Sequence, residues 1–89
     1  MTDRQIRVYA WQDLHEGGQT RDIVAAHSVA EVLRLAGIPR STYAWSGDVT
    51  DNDEEVAVAM AEPGVVFSTD LQASFKPGPN EWRRLGVAT

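Results

Sequence analysis

The chain has 89 residues, of which 43% are hydrophobic, and it carries 13 acidic against 8 basic residues and no cysteine. This length suits one domain with a modest core, and the composition excludes a disordered chain, a disulfide framework and a thiolate metal site. The formal net charge of −5 disfavours non-specific binding to nucleic acid or to an anionic membrane, because both need a basic face.

The first part of the sequence predicts an antiparallel hairpin. Residues 1–11 lack the apolar segment of a secretory signal and no long apolar run follows, so we expect a cytoplasmic protein without a membrane span. Residues 5–11 alternate between apolar and polar positions, which is the period of a half-buried strand. Residues 12–19 include two adjacent glycines and predict a long, flexible loop. Residues 20–27 predict the second strand, paired antiparallel with the first.

A capped helix is predicted after the hairpin. Ser28 and Glu31 have the spacing of a capping box, in which each side chain binds a backbone N–H of the other residue. Apolar side chains then recur at helical spacing: Val32, Leu33, Leu35 and Ala36. Gly37 is expected to end the helix with a positive φ, and Pro39 prevents it from resuming. The residues that follow predict a short second helical or extended turn.

The second half predicts another helix, a third strand and an irregular end. Residues 46–52 are polar turn formers, and Asn52 is placed to cap a helix that begins with acidic residues and ends before a Pro-Gly pair. Residues 65–67 are β-branched or aromatic and predict a strand. Residues 71–81 are predicted to be irregular, and residues 81–85 to form a helical turn or a short edge strand.

Together these elements predict one small α+β domain over residues 1–89. It contains an antiparallel hairpin, two to three short helices, a third strand and an irregular C-terminal segment. Residues 1–4 and 86–89 are expected to fray.

Candidate catalytic groups are sparse. His15 lies in the predicted loop with Asp13 and Glu16, but these residues supply too few ligands to hold a metal. His27 adjoins Ser28, whose hydroxyl is already expected to cap a helix. We therefore expect no enzymatic activity, no cofactor, no metal site and no small-molecule substrate.

The residues favour instead a module that binds a protein. Arg7, Tyr9 and Trp11 lie on one face of the first predicted strand, and two short helices are expected to cover only the opposite face. Exposed aromatic residues beside arginine are typical of interface hot spots. The alternative is that the C-terminal segment folds back and covers this face with Trp82 and Leu85.

The acidic helix start is a second candidate surface. Asp53 and Glu54 could present negative charge to a basic protein partner. The partner is unidentified, and it could be a second copy of this chain.

Residues 28–45 resemble the helix-turn-helix of transposase and transcription-regulator families. The matching positions are Gly37, Ile38, Arg40, Ser41, Thr42 and Trp45. The resemblance implies that Arg40, Ser41 and Thr42, at the start of a recognition helix, contact phosphates or base edges of DNA.

Two features of the sequence depart from that resemblance. Leu33 stands where the motif has alanine, and the chain carries excess acid. The alternative is a helical hairpin used only for packing, with Tyr43 and Trp45 in the core or at an interface.

Residues 23–67 also resemble a group of small uncharacterised proteins of actinobacterial phages and their hosts. The matching stretches are IVAAHSVAEVLRLAGIP, the spacing of Thr50, Asn52 and Glu55, and AMAEPGVVF. The resemblance implies an accessory phage or host protein that contacts another protein.

Overall fold

The computed structural model describes residues 5–15, 18–74 and 80–85. The strands in chain order are β1 (Arg7–His15), β2 (Gly18–Ala26), β3 (Asp48–Val49), β4 (Phe67–Asp70) and β5 (Arg83–Arg84). The helices are α1 (Val29–Ala36), α2 (Arg40–Ser46), α3 (Asp53–Ala61) and a single turn, α4 (Leu71–Ser74). The strands form one antiparallel sheet in the order β3-β1-β2-β4-β5, which confirms the predicted α+β fold.

The hairpin of β1 and β2 is longer than the sequence predicts. Its pairs run from Arg7 opposite Ala26 to His15 opposite Gly18, so the predicted loop over residues 12–19 is wrong. Gln19 is exposed although it pairs with Leu14, because a polar side chain on a strand can stay in solvent while its backbone is paired. The polar and glycine residues therefore predict a loop at positions where the pairing of β1 with β2 continues.

Helix α1 begins and ends at the predicted residues. The Ser28 hydroxyl accepts a hydrogen bond from the Glu31 N–H at 3.2 Å, and Gly37 ends the helix with φ +68°. The other half of the box differs, because the Glu31 carboxylate accepts from the backbone N–H of His27, at 3.0 Å, rather than from that of Ser28. The two side chains still accept hydrogen bonds from two backbone N–H groups at the start of the helix.

Each face of the sheet carries its own core. Helices α1 and α2 cover one face, where the buried residues are Tyr9, Trp11, Val24, Ala26, Val32, Tyr43 and Val66. Helix α3 covers the other face, where the buried residues are Val8, Ala10, Ile23, Ala25, Ala59 and Phe67. The chain passes between the two faces along the sheet edge, through β3.

The second half shows three differences from the predicted elements and one agreement. The polar connection over residues 46–52 contains β3, because two of its residues pair with Tyr9 and Ala10. The strand predicted at 65–67 begins at Phe67, where pairing with β2 starts. Residues 71–74 are helical rather than irregular. The alternative of a short edge strand over residues 81–85 is confirmed by β5.

The described part of the C-terminal segment is tied to α3. The Glu54 carboxylate accepts from the Asn80 backbone N–H at 2.6 Å and from the Trp82 indole N–H at 2.9 Å. Trp82 then packs on the core under α3, while Leu85 packs on the opposite core. The predicted frayed ends and the Lys-Pro-Gly-Pro stretch at 76–79 lie outside the described residues.

Gly47, at the end of α2, has no room for a side chain. A Cβ atom here would overlap the ring of Tyr43, which packs against Tyr9 and Trp11. We therefore expect Gly47→Ala to lower the free energy of unfolding by about 1–3 kcal/mol, the usual cost of overpacking a core. Urea denaturation measures this loss, and a change below about 0.5 kcal/mol would contradict the packing described for Tyr43.

Within the described ranges, none of the helices is long and apolar enough to cross a membrane.

Candidate interaction surface

The aromatic face predicted for binding is buried. Tyr9 is 6% exposed and Trp11 is 0% exposed, so the expectation that they form an open surface is wrong. The reason is that α3 occupies the opposite face, which frees α1 and α2 to cover these rings with Val32 and Tyr43. The C-terminal segment helps to cover these rings only through Leu85, because Trp82 packs on the core at the opposite face of the sheet. Arg7 remains exposed.

The acidic surface is smaller than the sequence suggests. Asp53 is exposed, whereas Glu54 is half-buried and its carboxylate holds the C-terminal segment. Glu55 is buried and pairs with Arg21 through two hydrogen bonds, one of them 2.9 Å long. Much of this negative charge is therefore engaged in hydrogen bonds within the domain.

The three candidate DNA contacts occupy the first turn of α2. Arg40 and Ser41 are exposed, and Thr42 is half-buried. Tyr43 is the residue of α2 that is buried in the core. This agrees with the alternative in which this side chain serves packing.

A groove at one edge of the sheet brings together residues that the sequence did not connect. It has a volume of about 340 Å³ and lies between α2 and the outer end of the hairpin. The side chains that line it are Gln12, Asp13, Leu14, Gln19, Thr42 and Trp45. Trp45 is 68% exposed and Leu14 is 73% exposed, which makes them the most exposed large apolar side chains in the described part of the chain.

Local geometry explains both exposures. Trp45 follows the buried Tyr43 by two residues, and positions two apart on a helix point in different directions, so only one of the two rings can enter the core. Leu14 lies on the α3 side of β1, four residues beyond Ala10, the last residue of that strand in the core under α3. The sequence signal for Trp45 was therefore its spacing from Tyr43.

The backbone at this edge is already hydrogen-bonded by side chains. The Gln12 N–H donates to the Ser46 hydroxyl at 2.8 Å, and the Leu14 N–H donates to the Asp13 carboxylate at 2.7 Å. On β3, the Thr50 N–H points inward to Val8, so the Val49 N–H points outward, where the Asp48 carboxylate accepts it at 2.8 Å. These three donors are therefore occupied along the edge.

The electrostatic surroundings of the edge are acidic. Burial, then the neighbouring Tyr9 and the charge of Asp48, raise the pKa of Tyr43 to about 12. Tyr43 thus stays neutral at physiological pH, and the Asp48 charge acts on the same helix that carries Trp45. Asp13 adds a carboxylate to the groove itself.

A second cavity of about 260 Å³ lies under the end of α1. Its apolar lining consists of Leu35, Ala36, Ile38, Val66 and Leu85, and Asp13 and Asp22 lie at its polar side. The buried Asp22 carboxylate accepts from the hydroxyls of Thr20 at 2.8 Å and Ser68 at 2.7 Å. Leu35 is therefore only half-buried, although the sequence places it in the core.

The candidate catalytic residues have structural partners. The Ser28 hydroxyl serves the cap of α1, and His27 Nδ1 lies 3.1 Å from the Glu31 carboxylate. Hydrogen bonds from the His27 backbone N–H and then its imidazole lower the pKa of Glu31. Among residues 5–15, 18–74 and 80–85, no cluster of three or more His, Asp or Glu could hold a metal. Glu16 and the side chain of His15 lie outside the described residues.

No protein-family model, curated protein or solved structure matches the chain. The two resemblances drawn from the sequence therefore remain predictions.

Proposed function

We propose that this protein is a non-catalytic interaction module that binds a protein partner in the groove at the β1 edge. The observation that carries the proposal is the exposure of Trp45 and Leu14 on either side of one concavity. Exposed large apolar side chains are rare in groups on monomers, and tryptophan at a groove is typical of binding hot spots. We therefore propose Trp45 as the aromatic contact, in place of Trp11, which the sequence indicated.

The occupied edge narrows the way in which a partner can bind. A peptide that adds a strand to a sheet needs free backbone donors and acceptors along the edge. The Gln12, Leu14 and Val49 N–H groups already have side-chain acceptors. The partner is therefore expected to insert side chains between Trp45 and Leu14 rather than to extend the sheet.

The charges on and near α2 favour a basic protein partner rather than DNA. Helix α2 contains seven residues, of which only Arg40 is basic, and Asp48 follows two residues after its end. DNA binding through Arg40, Ser41 and Thr42 would need several phosphate contacts to overcome a net charge of −5. A protein segment with apolar and basic side chains complements the groove better.

Selection of a random peptide library on the immobilised protein tests the proposal. We expect enriched peptides whose affinity falls at least about tenfold with Trp45→Ala and with Leu14→Ala, because both side chains flank the site. Isothermal titration calorimetry of synthetic peptides measures these affinities. Met60→Ala is the matched control, since Met60 is an exposed apolar residue on α3, away from the groove.

Enriched peptides that bind Trp45→Ala and wild type equally well would contradict the proposed function. A wild-type dimer in light scattering that Trp45→Ala converts to a monomer would identify the partner as a second copy of this chain.

A further inference from the structure

The two edges of the sheet differ in how their backbone groups are used. At the β1 and β3 edge, side chains accept hydrogen bonds from the N–H groups of Gln12, Leu14 and Val49. The opposite edge is β5 (Arg83–Arg84), the last strand in the order β3-β1-β2-β4-β5. It pairs with β4 on one side, and no strand of the described residues pairs with its other side. An edge strand of this kind can accept a further strand.

The register of β5 on β4 determines which of its backbone groups point outward. The Leu85 N–H donates to the Val66 carbonyl at 2.8 Å, so these two residues form a hydrogen-bonded pair. In an antiparallel ladder, hydrogen-bonded pairs alternate with pairs that are not hydrogen-bonded. Arg84, opposite Phe67, is the next pair, so its N–H and C=O point away from β4. Within residues 5–15, 18–74 and 80–85, neither group has a hydrogen-bond partner.

The side chains of β5 place positive charge beside these backbone groups. Arg83 and Arg84 are exposed, and they project to opposite faces of the sheet because they are adjacent in a strand. Arg84 pairs with Glu62, whereas Arg83 forms no ion pair with a described residue, including the nearby exposed Glu81. A carboxylate from outside the chain could therefore pair with Arg83 without displacing an internal ion pair.

We propose that β5 binds an extended segment of a protein partner as an added strand, with an acidic side chain of that segment beside Arg83. The outward N–H and C=O of Arg84 supply main-chain hydrogen bonds, from which an added strand gains its affinity. The Arg83 guanidinium supplies specificity, because its N–H donors match the two oxygens of a carboxylate. This surface lies at the opposite edge of the sheet from the groove, so the inference does not depend on the proposed function.

The charge of β5 argues against a second copy of this chain as the partner. Two copies paired antiparallel through Arg83 and Arg84 would place these arginines opposite one another. Like charges directly opposite each other destabilise a strand pair, and charged side chains on an edge strand are a known barrier to self-association. A different chain with an acidic side chain avoids this repulsion.

Nuclear magnetic resonance of the full ¹⁵N-labelled chain tests the inference with three defined probes. The first is the acetylated, amidated pentapeptide Thr-Val-Glu-Val-Thr, and the second has glutamine in place of glutamate. The third carries N-methyl groups on both valines, which removes the N–H donors that a strand would offer to β5. We expect the first probe to shift the backbone N–H resonance of Arg84 and to bind at least about fivefold more tightly than either of the others.

Two substitutions at Arg84 separate its backbone from its side chain. Both Arg84→Pro and Arg84→Ala remove the ion pair with Glu62, but only proline also removes the outward N–H. Proline is tolerated on an edge strand where the N–H faces solvent. We expect Arg84→Pro to weaken binding of the glutamate probe about tenfold relative to Arg84→Ala. Backbone spectra establish that the fold is retained, and the N-methylated probe tests the same hydrogen bonds on the wild-type chain.

Arg83→Gln tests the acidic contact. It is expected to weaken binding of the glutamate probe at least about fivefold and to leave the glutamine probe unchanged. Arg40→Gln is the matched control, because Arg40 is also exposed and also forms no ion pair with a described residue, but lies on α2. It should leave the affinities for both probes unchanged.

Four results would overturn the inference. Equal affinities for the glutamate and glutamine probes would remove the acidic contact, and undiminished binding of the N-methylated probe would remove strand addition. Equal losses in Arg83→Gln and Arg40→Gln would show that only net charge matters. Shifts at Trp45 without shifts at Arg84 would place the probe in the groove, which would leave the proposed function intact.

Discussion

Trp11→Ala is expected to lower the free energy of unfolding by about 4 kcal/mol, the usual cost of removing a buried tryptophan. Trp11 is the largest fully buried side chain, and its ring lies 6.1 Å from that of Tyr43, between the sheet and α2. A domain of this size has a total stability of roughly 0.05–0.15 kcal/mol per residue, so this loss removes a large fraction of the free energy of unfolding. Circular dichroism during urea denaturation measures the change.

Trp11→Phe separates ring packing from polar chemistry. The indole N–H of Trp11 is buried and has no hydrogen-bond partner among the described residues. An unsatisfied donor costs about 1–3 kcal/mol, so its removal offsets part of the lost ring volume. We therefore expect phenylalanine to be at least about 2 kcal/mol more stable than alanine here. Equal losses for both variants would contradict the ring packing described for Trp11.

Glu55→Ala is expected to cost about 3 kcal/mol, because it leaves Arg21 half-buried without its counter-ion. Glu55 is 5% exposed; its carboxylate accepts two hydrogen bonds from Arg21 and one, at 2.7 Å, from the Thr50 hydroxyl. The pair joins α3 to the centre of β2. Urea denaturation at neutral pH gives the value.

The matched control is a second ion pair, at the opposite end of α3 from Glu55. Glu62 pairs with Arg84, and both side chains are substantially exposed, 39% and 60% respectively. Exposed pairs contribute little, so Glu62→Ala is expected to cost less than about 1 kcal/mol. Similar losses at Glu55 and Glu62 would contradict the assigned difference in burial.

The same carboxylate predicts a pH dependence. Burial alone would raise the pKa of Glu55, but hydrogen bonds from Arg21 and Thr50, with the charge of Arg21, outweigh burial and lower it. The unfolded chain therefore takes up this proton at a higher pH than the folded chain. The stabilisation is complete above the unfolded pKa of about 4.3 and is lost as the pH falls through the folded pKa.

Glu55→Gln isolates this contribution. Glu31, whose pKa is also lowered, is present in both proteins, so its effect cancels in the comparison. We expect the stability difference between wild type and Glu55→Gln to shrink as the pH is lowered below about 4.3. A difference that stays constant between neutral and acidic pH would show that folding does not lower the pKa of Glu55.

Local sequence signals predicted the elements of the fold well. The boundaries of α1 follow from Ser28 and Gly37, because a hydroxyl cap and a positive φ depend on only a few neighbouring residues. The face of β1 that carries Tyr9 and Trp11 follows from alternation. The length of the hairpin could not be predicted in this way, because glycine and polar residues fit both a loop and a solvent-exposed strand.

The candidate site depended on topology rather than on local pattern. Whether Trp11 is covered depends on α3 crossing to the opposite face, and no residue within α3 specifies which side of the sheet it takes. The groove likewise combines Leu14 with Trp45, which are far apart in the chain. Only the helical spacing of Tyr43 and Trp45 could have indicated in advance that one of these rings would face solvent.

The occupied N–H groups of Gln12, Leu14 and Val49 have a consequence for concentrated solutions of the protein. Fibrils grow when one chain templates the next through an open strand edge, and the native molecule offers no such template here. Fibril growth through this edge should therefore begin from unfolded molecules. Its rate should follow the unfolded fraction, so that a destabilising core variant aggregates faster than wild type at the same total concentration.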